Sequence, residues 1–185
     1  KVTLVGNEAS VRDRLRTLGI TREFRIIDPD KAEWTPDFID AFYEMRKAKG
    51  ITREDAVEQM RKPIPHGVMM LHKGFADGLV AGAIHSTGDT LRPALQILRT
   101  APGHSLVSAF FFIVFPDATY LFADSGLVEN PDASQLADIA VTSAETALAF
   151  GLDPYVAMLS YSTKGSAKSP LTEKVVEATR LAQER

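Results

Sequence analysis

Cysteine is absent from the 185 residues, which excludes disulfides, thiolate metal sites and an acyl-thioenzyme intermediate. Any acyl transfer by this chain would proceed without a cysteine nucleophile. A dominant charge is also lacking: 21 Lys and Arg against 24 Asp and Glu leave a net charge of -3 with no basic stripe, which argues against nucleic acid as the main partner. Long apolar runs are missing too. The longest, residues 106–115, is broken by Ser108 and falls far short of the ~20 residues a membrane helix needs. No charged-then-apolar leader opens the chain, so a cytoplasmic location is expected. Position 1 holds Lys1 rather than Met, with a strand-like Val2-Thr-Leu-Val5 directly behind it, so an N-terminal piece is expected to be absent. His66, His72 and His104 show no ligand spacing with one another or with Asp and Glu, and no metal is expected.

The chain has 45% hydrophobic and 24% charged residues, enough for a sizeable core in an ordinary globular protein. Val2-Thr-Leu-Val-Gly6, a helical spacing at Val11, Leu15 and Leu18, and a second strand at residues 24–27, stopped by Asp28-Pro29-Asp30, read as a βαβ unit with parallel strands. Thr35 is expected to cap a helix whose buried stripe is Phe38, Phe42 and Met45, with Arg46 at the edge of that stripe. Thr52 and Asp55 form a capping-box pattern for a helix ended by Pro63-Ile-Pro65, and a further helix is expected over 66–73. The fold class is α/β. Strands dominate after Pro102-Gly103, so residues 1–103 and 104–185 are expected to belong to two α/β parts. The second part reads as a hairpin turning at residues 116–119, a long helix from Asp132 to Phe150, a buried strand at 155–159 and a last helix capped by Ser169 with Pro170 in its first turn. That long helix carries a stripe of mainly small residues that includes Leu148, and the last one is expected to bury Leu171, Val175 and Val176.

Residues 76–93 carry the densest signal. Leu79 and Val80 read as a short buried strand, followed by a small, polar loop and a helix opening at Asp89, with Pro93 still in its first turn. Strand, polar loop and helix start are how α/β proteins assemble anion sites, because first-turn N–H groups lack partners and carry partial positive charge. Arg92 adds a forked donor suited to phosphate. The alternative is a plain capped helix with Arg92 paired to a nearby acid. His85 reads as a structural histidine or, secondarily, as a base. A second polar loop, 160–169, holds Ser160, Ser162, Thr163, Lys164 and Gly165; it is either a solvated surface loop or a phosphate cradle, and not a P-loop, since GxxxxGK[ST] is absent. Asp124-Ser125-Gly126 reads as a turn. One such loop in each half suggests two parts placing helix starts across a shared cleft.

The sequence resembles the phosphate acetyltransferase family, which includes phosphate butyryltransferase. Leu4-Val-Gly-Asn7, Ala41-Phe-Tyr-Glu-Met-Arg-Lys47, Gly78-Leu-Val-Ala-Gly-Ala-Ile-His85, Asp89-Thr-Leu-Arg-Pro93, Leu121-Phe-Ala-Asp-Ser125 and Ala157-Met-Leu-Ser-Tyr-Ser-Thr-Lys-Gly-Ser-Ala-Lys168 carry the likeness in family order. The resemblance implies exchange of an acetyl group between acetyl-CoA and inorganic phosphate, with coenzyme A as substrate, no resident cofactor or active-site metal, a homodimer, and two α/β/α lobes around a cleft as in isocitrate and isopropylmalate dehydrogenases. It implies CoA- and phosphate-binding roles for Arg46, Ser86, Thr87, Asp89, Thr90, Arg92 and the second loop. The family's Ser-Arg pair and Asp that complete catalysis match no segment here, so the chain is expected to be a central fragment, inactive alone. A non-catalytic acetyl-CoA-sensing domain, like that attached to some malic enzymes, is the competing expectation.

Overall fold

A computed structural model describes residues 1–104 and 106–185. The protein is mixed α/β and divides into two compact units, Lys1–Arg99 and Thr100–Arg185. In the first, β1 (Thr3–Val5), α1 (Glu8–Thr17) and β2 (Arg25–Ile27) form the expected βαβ unit, with β1 and β2 parallel and Leu4 opposite Ile26. The Asp28 carboxylate at the end of β2 accepts the N–H of Glu8 at 3.2 Å and of Asp30 at 3.2 Å, with Lys31 Nζ 3.5 Å away. It therefore ties the start of α1 to the exit of β2. The Glu8 N–H, ahead of the opposing cost of burial, holds its carboxyl below the ordinary 3.8. A carboxyl with a depressed folded pKa contributes stability that is complete above the unfolded value and lost as pH falls through the folded one. Asp28→Ala is expected to cost about 1 kcal/mol at pH 7, the size of a lost helix cap, and to flatten the loss of stability below pH 3.8; urea midpoints at pH 7 and pH 3 read both.

Helices α2 (Thr35–Arg46), α3 (Arg53–Met60), α4 (Pro63–His72) and α5 (Thr87–Ile97) complete the first unit, with a 3-10 turn at Lys47–Lys49. Its core joins Phe38 and Phe42 to Met60, Val68, Met69 and Ile97. Local chemistry moved three helix starts from their expected places. Trp34, not Thr35, is the residue before α2, because the buried Thr35 hydroxyl donates to Pro29 O at 2.7 Å and so pins the preceding loop. Helix α4 begins at Pro63 and not at His66: both prolines fall in its first turn, where no backbone donor is needed. Helix α5 is capped by Ser86, three residues before Asp89, so Pro93 lies inside the helix, where its missing N–H and ring disturb the turn.

In the second unit β3 (Phe110–Val114) and β4 (Thr119–Ala123) form the expected antiparallel hairpin, with Phe112 opposite Leu121. Helix α6 (Ala133–Ala149) starts in a capping box of Asp132 and Gln135, and α7 (Pro170–Gln183) in one of Ser169 and Thr172. The small residues Ala137, Ala140 and Ala147 are buried, and α6 packs on both α7 and β4. Leu148, Leu171 and Val176 are exposed instead of buried, as α7 turns the face with Thr172 and Ala178 inward.

Two expected strands do not form. Val80 is fully exposed and residues 79–80 have no strand partner; Tyr155, Val156 and Leu159 are likewise exposed, in an unpaired stretch. A strand exists only through a neighbour that takes its N–H and C=O groups, and among the described residues none runs beside either segment. Leu79 still has a structural task. A Cβ on Gly67 of α4 would lie 3.0 Å from its Cδ1, so the glycine lets Leu79 seat the loop closely on that helix.

Candidate functional site

The first polar loop is held at both ends. Leu79 anchors its start on α4, and Gly82, with φ of 104°, presses against α5: a Cβ there would meet Thr90 Oγ1 at 3.1 Å. Only a residue tolerant of positive φ and without a side chain fits both demands. His85 N–H donates to Gly82 O at 3.3 Å, closing a turn. Ser86 then caps α5: its Oγ accepts the Asp89 N–H at 3.1 Å and donates to the Asp89 carboxylate at 2.7 Å. Thr90 Oγ1 donates to Ser86 O at 3.0 Å. Ser86, Asp89 and Thr90 thus spend their polar groups on the turn itself, and among the described residues the N–H groups of Thr87 and Gly88 remain as open first-turn donors.

Arg92 folds back over this opening. A Cβ on Gly88 would have Arg92 Nη2 at 3.7 Å and Ser86 Oγ at 3.8 Å, so the guanidinium stands beside the first turn of α5. Among the described residues no carboxylate pairs with it, and the plain reading of Arg92 as one half of an ion pair is not what the structure holds. Arg46 is half-buried at the last position of α2, a helix that packs against α5, and it too has no acid partner among the described residues. His85 is exposed next to this group and its ring makes no hydrogen bond among the described residues. The result is an open helix start flanked by an uncompensated guanidinium, an arrangement that attracts phosphate or carboxylate.

The second loop lies in the other unit and is built from its own hydroxyls. Ser162 Oγ donates to Ala167 O at 3.1 Å and accepts the Ala167 N–H at 3.1 Å. Ser160 Oγ accepts the Ser162 N–H at 3.1 Å, and Ser166 Oγ accepts the Thr163 N–H at 3.0 Å. The loop tip, Lys164 and Gly165, has φ values of 49° and 80°. Its far end joins α7, where the Tyr161 hydroxyl lies 2.6 Å from Ser169 Oγ and the buried Thr172 donates to Ala167 O at 3.3 Å. Tyr161 and Thr172 were not singled out by sequence, although the Ser169-x-x-Thr172 spacing is a readable cap.

Asp124 forms the expected turn: its carboxylate accepts the N–H of Gly126 at 2.6 Å, of Leu127 at 2.7 Å and of Ala109 at 3.2 Å. Burial pushes its carboxyl up, but these donors and the Ser108 hydroxyl outweigh burial and hold it below the ordinary value. Beside it, β4, α6 and residues 152–159 enclose an open, mainly apolar hollow of about 840 Å³. Among the described residues no cluster of three or more His, Cys, Asp or Glu side chains could hold a metal ion, and no helix is long and apolar enough to cross a membrane.

Residues 1–185 match the profile of the phosphate acetyl/butaryl transferase family. The chain is 50% identical to a phosphate acetyltransferase of Acetivibrio thermocellus, with all of this chain and 58% of that protein aligned. It is 44% identical to one of Nitratidesulfovibrio vulgaris, of which it covers 26%. Among solved structures it resembles the EutD phosphotransacetylase from Staphylococcus aureus at a TM-score of 0.86 and 45% identity, over 97% of this chain and 55% of that one. The chain thus spans between a quarter and three-fifths of the length of these relatives.

Proposed function

Because the chain belongs to the phosphate acetyl/butaryl transferase family, we propose that the protein it forms part of moves an acetyl group between acetyl-CoA and inorganic phosphate. In that reaction a phosphate oxygen attacks the thioester carbonyl, the C–O bond of acetyl phosphate forms, the C–S bond breaks, and the CoA sulfur leaves and is protonated. The observation that carries this reading is the open start of α5 with the Arg92 guanidinium, which has no acid partner among the described residues, folded beside it. Arg92 and the N–H groups of Thr87 and Gly88 would bind a CoA or substrate phosphate, and Arg46 would add a second guanidinium. Ser86, Asp89 and Thr90 would hold that surface in shape, and the 160–169 loop would also bind a CoA or substrate phosphate. Holding phosphate and thioester about 3 Å apart in an attack geometry supplies much of the acceleration in such a transfer. CoA is here a substrate, and no resident cofactor or metal enters the proposal.

The same reading takes the architecture as the two-lobed kind found in isocitrate and isopropylmalate dehydrogenases, with residues 1–103 and 104–185 as parts of the two lobes, and the protein as a cytoplasmic homodimer. The 42–50% identity to phosphate acetyltransferases supports acetyl as the acyl group ahead of butyryl. An assay of the intact gene product with phosphate and acetyl-, propionyl- or butyryl-CoA, read as thiol release, tests this. Acetyl-CoA is expected to give the highest kcat/KM. A butyryl-CoA optimum would reassign the acyl group, and CoA binding without turnover of any thioester would replace the enzyme by an acetyl-CoA sensor.

A further inference from the structure

The serine hydroxyls of the 160–169 loop are already spoken for. Ser162 Oγ both donates to Ala167 O and accepts the Ala167 N–H, each at 3.1 Å. Ser166 Oγ holds the Thr163 N–H at 3.0 Å, while the Ser166 N–H returns to Thr163 O at 3.0 Å. Thr172, 4% exposed, shares its one hydroxyl proton between Ala167 O and Ser169 O, at 3.3 and 3.0 Å, and so fastens this framework to the first turn of α7. The four-residue turn closed between Thr163 and Ser166 has positive φ at both central residues, 49° at Lys164 and 80° at Gly165. Two left-handed residues in succession are the mark of a type I′ turn, for which Asn-Gly and Gly-Gly are the favoured pairs. A lysine there is disfavoured by its Cβ, and the surrounding bonds must enforce it. The ammonium so placed is exposed and, among the described residues, has no acid or carbonyl partner.

We propose that Lys164 is the member of this loop that meets the substrate anion, and that Ser162 is a positioning residue that holds Lys164 at the turn and does not itself touch substrate. The proposal rests on the reading above that this loop binds a CoA or substrate phosphate. Removing the Ser162 hydroxyl leaves the Ala167 N–H without its partner and the Ala167 O with Thr172 alone, so the turn loosens and Lys164 is no longer presented in one place. The loss falls on binding, as a rise in KM, and it depends on the lysine being there.

The test is a double-substitution cycle in the intact gene product, with KM for phosphate and CoA and kcat measured for the unaltered protein, K164M, S162A, S162T and the S162A/K164M pair. K164M is expected to raise the KM of one substrate about tenfold, the size of a lost charge-assisted contact. S162A is expected to raise the same KM about fivefold with kcat little changed, and by less than about twofold when Lys164 is already methionine, since coupled residues are non-additive. S162T, which keeps the hydroxyl, restores the KM. If K164M leaves both KM values unchanged, the loop is outside the site and the underlying reading fails. If K164M acts but S162A does not, or S162A raises KM equally with and without Lys164, the loop stays in the site and the positioning role of Ser162 is overturned.

Discussion

Replacing Arg92 by Gln in the intact gene product is expected to raise the KM for CoA at least tenfold while leaving the melting temperature within a degree or two. The size follows from what is removed. A guanidinium bound to phosphate contributes a charge-assisted, forked hydrogen bond of about 1.5–3 kcal/mol, and each 1.4 kcal/mol is a factor of about ten in affinity. The stability side follows from position: Arg92 is exposed, on the solvent side of α5, and among the described residues no carboxylate depends on it. Substitutions at such surface positions stay within about 0.5 kcal/mol. The split between a large KM change and an unmoved melting temperature separates a ligand contact from a structural arginine, whose loss would raise KM and lower the melting temperature together. Arg92→Lys sharpens the reading further. It keeps the charge but not the fork, so it is expected to recover part of the affinity and not all of it. An unchanged KM in Arg92→Gln would take Arg92 out of the site, and with it the observation on which the functional proposal stands.

How much of this could be read from sequence depends on how local the deciding interaction is. The capping box of Thr52 and Asp55, and the cap at Ser169 followed by Pro170, were legible because each is settled within four residues. So were the parallel β1–β2 pair and the β3–β4 hairpin, whose partners are set by a helix and by a short turn between them. The start of α5 was misplaced although its signal was local: Ser86 followed three residues later by Asp89 is a cap pattern, and it overrode the choice of Asp89 itself. The failures at 79–80 and 155–159 are of another kind. Those residues have β-forming side chains, but pairing is a property of a distant neighbour and no spacing within the segment reports it. The same limit applied to the candidate site. Composition marked Ser160 and Ser162 as equals of Lys164, and only the hydrogen bonds to Ser162 and Ala167 separate the serines that build the loop from the lysine at its tip.

Phe38→Ala is expected to be the most damaging single truncation in the first unit, costing about 3–5 kcal/mol, the range for emptying a buried aromatic site. Phe38 is 0% exposed and its ring lies 4.9 Å from His66, 5.8 Å from Phe75 and 6.4 Å from Trp34, so no single neighbour can move into the space it leaves. Since whole domains are stable by only about 5–15 kcal/mol, the loss is a large part of the total. Trp34 is the only tryptophan in the chain, which makes its fluorescence during urea unfolding a report on this unit alone. The same cluster gives the prediction a second, independent edge. His66 is buried, with Nδ1 2.9 Å from Met60 O and Nε2 accepting the Trp34 Nε1–H at 3.3 Å, so the neutral ring has both nitrogens satisfied and a proton on Nε2 would face the indole donor. Burial holds its pKa below 6.5, and the bond to Met60 O offsets that only in part. A folded state that binds the proton less readily than the unfolded one loses stability as pH falls from 6.5 towards the folded value. Phe38→Ala admits water beside the ring and returns the folded pKa towards the unfolded one, so the variant's stability should depend less on pH in this window. The gap between the two proteins should therefore be widest above pH 6.5 and narrow on acidification. A constant gap would mean that burial by Phe38 is not what keeps His66 neutral, and a cost below about 1 kcal/mol would mean that the cluster collapses into the space.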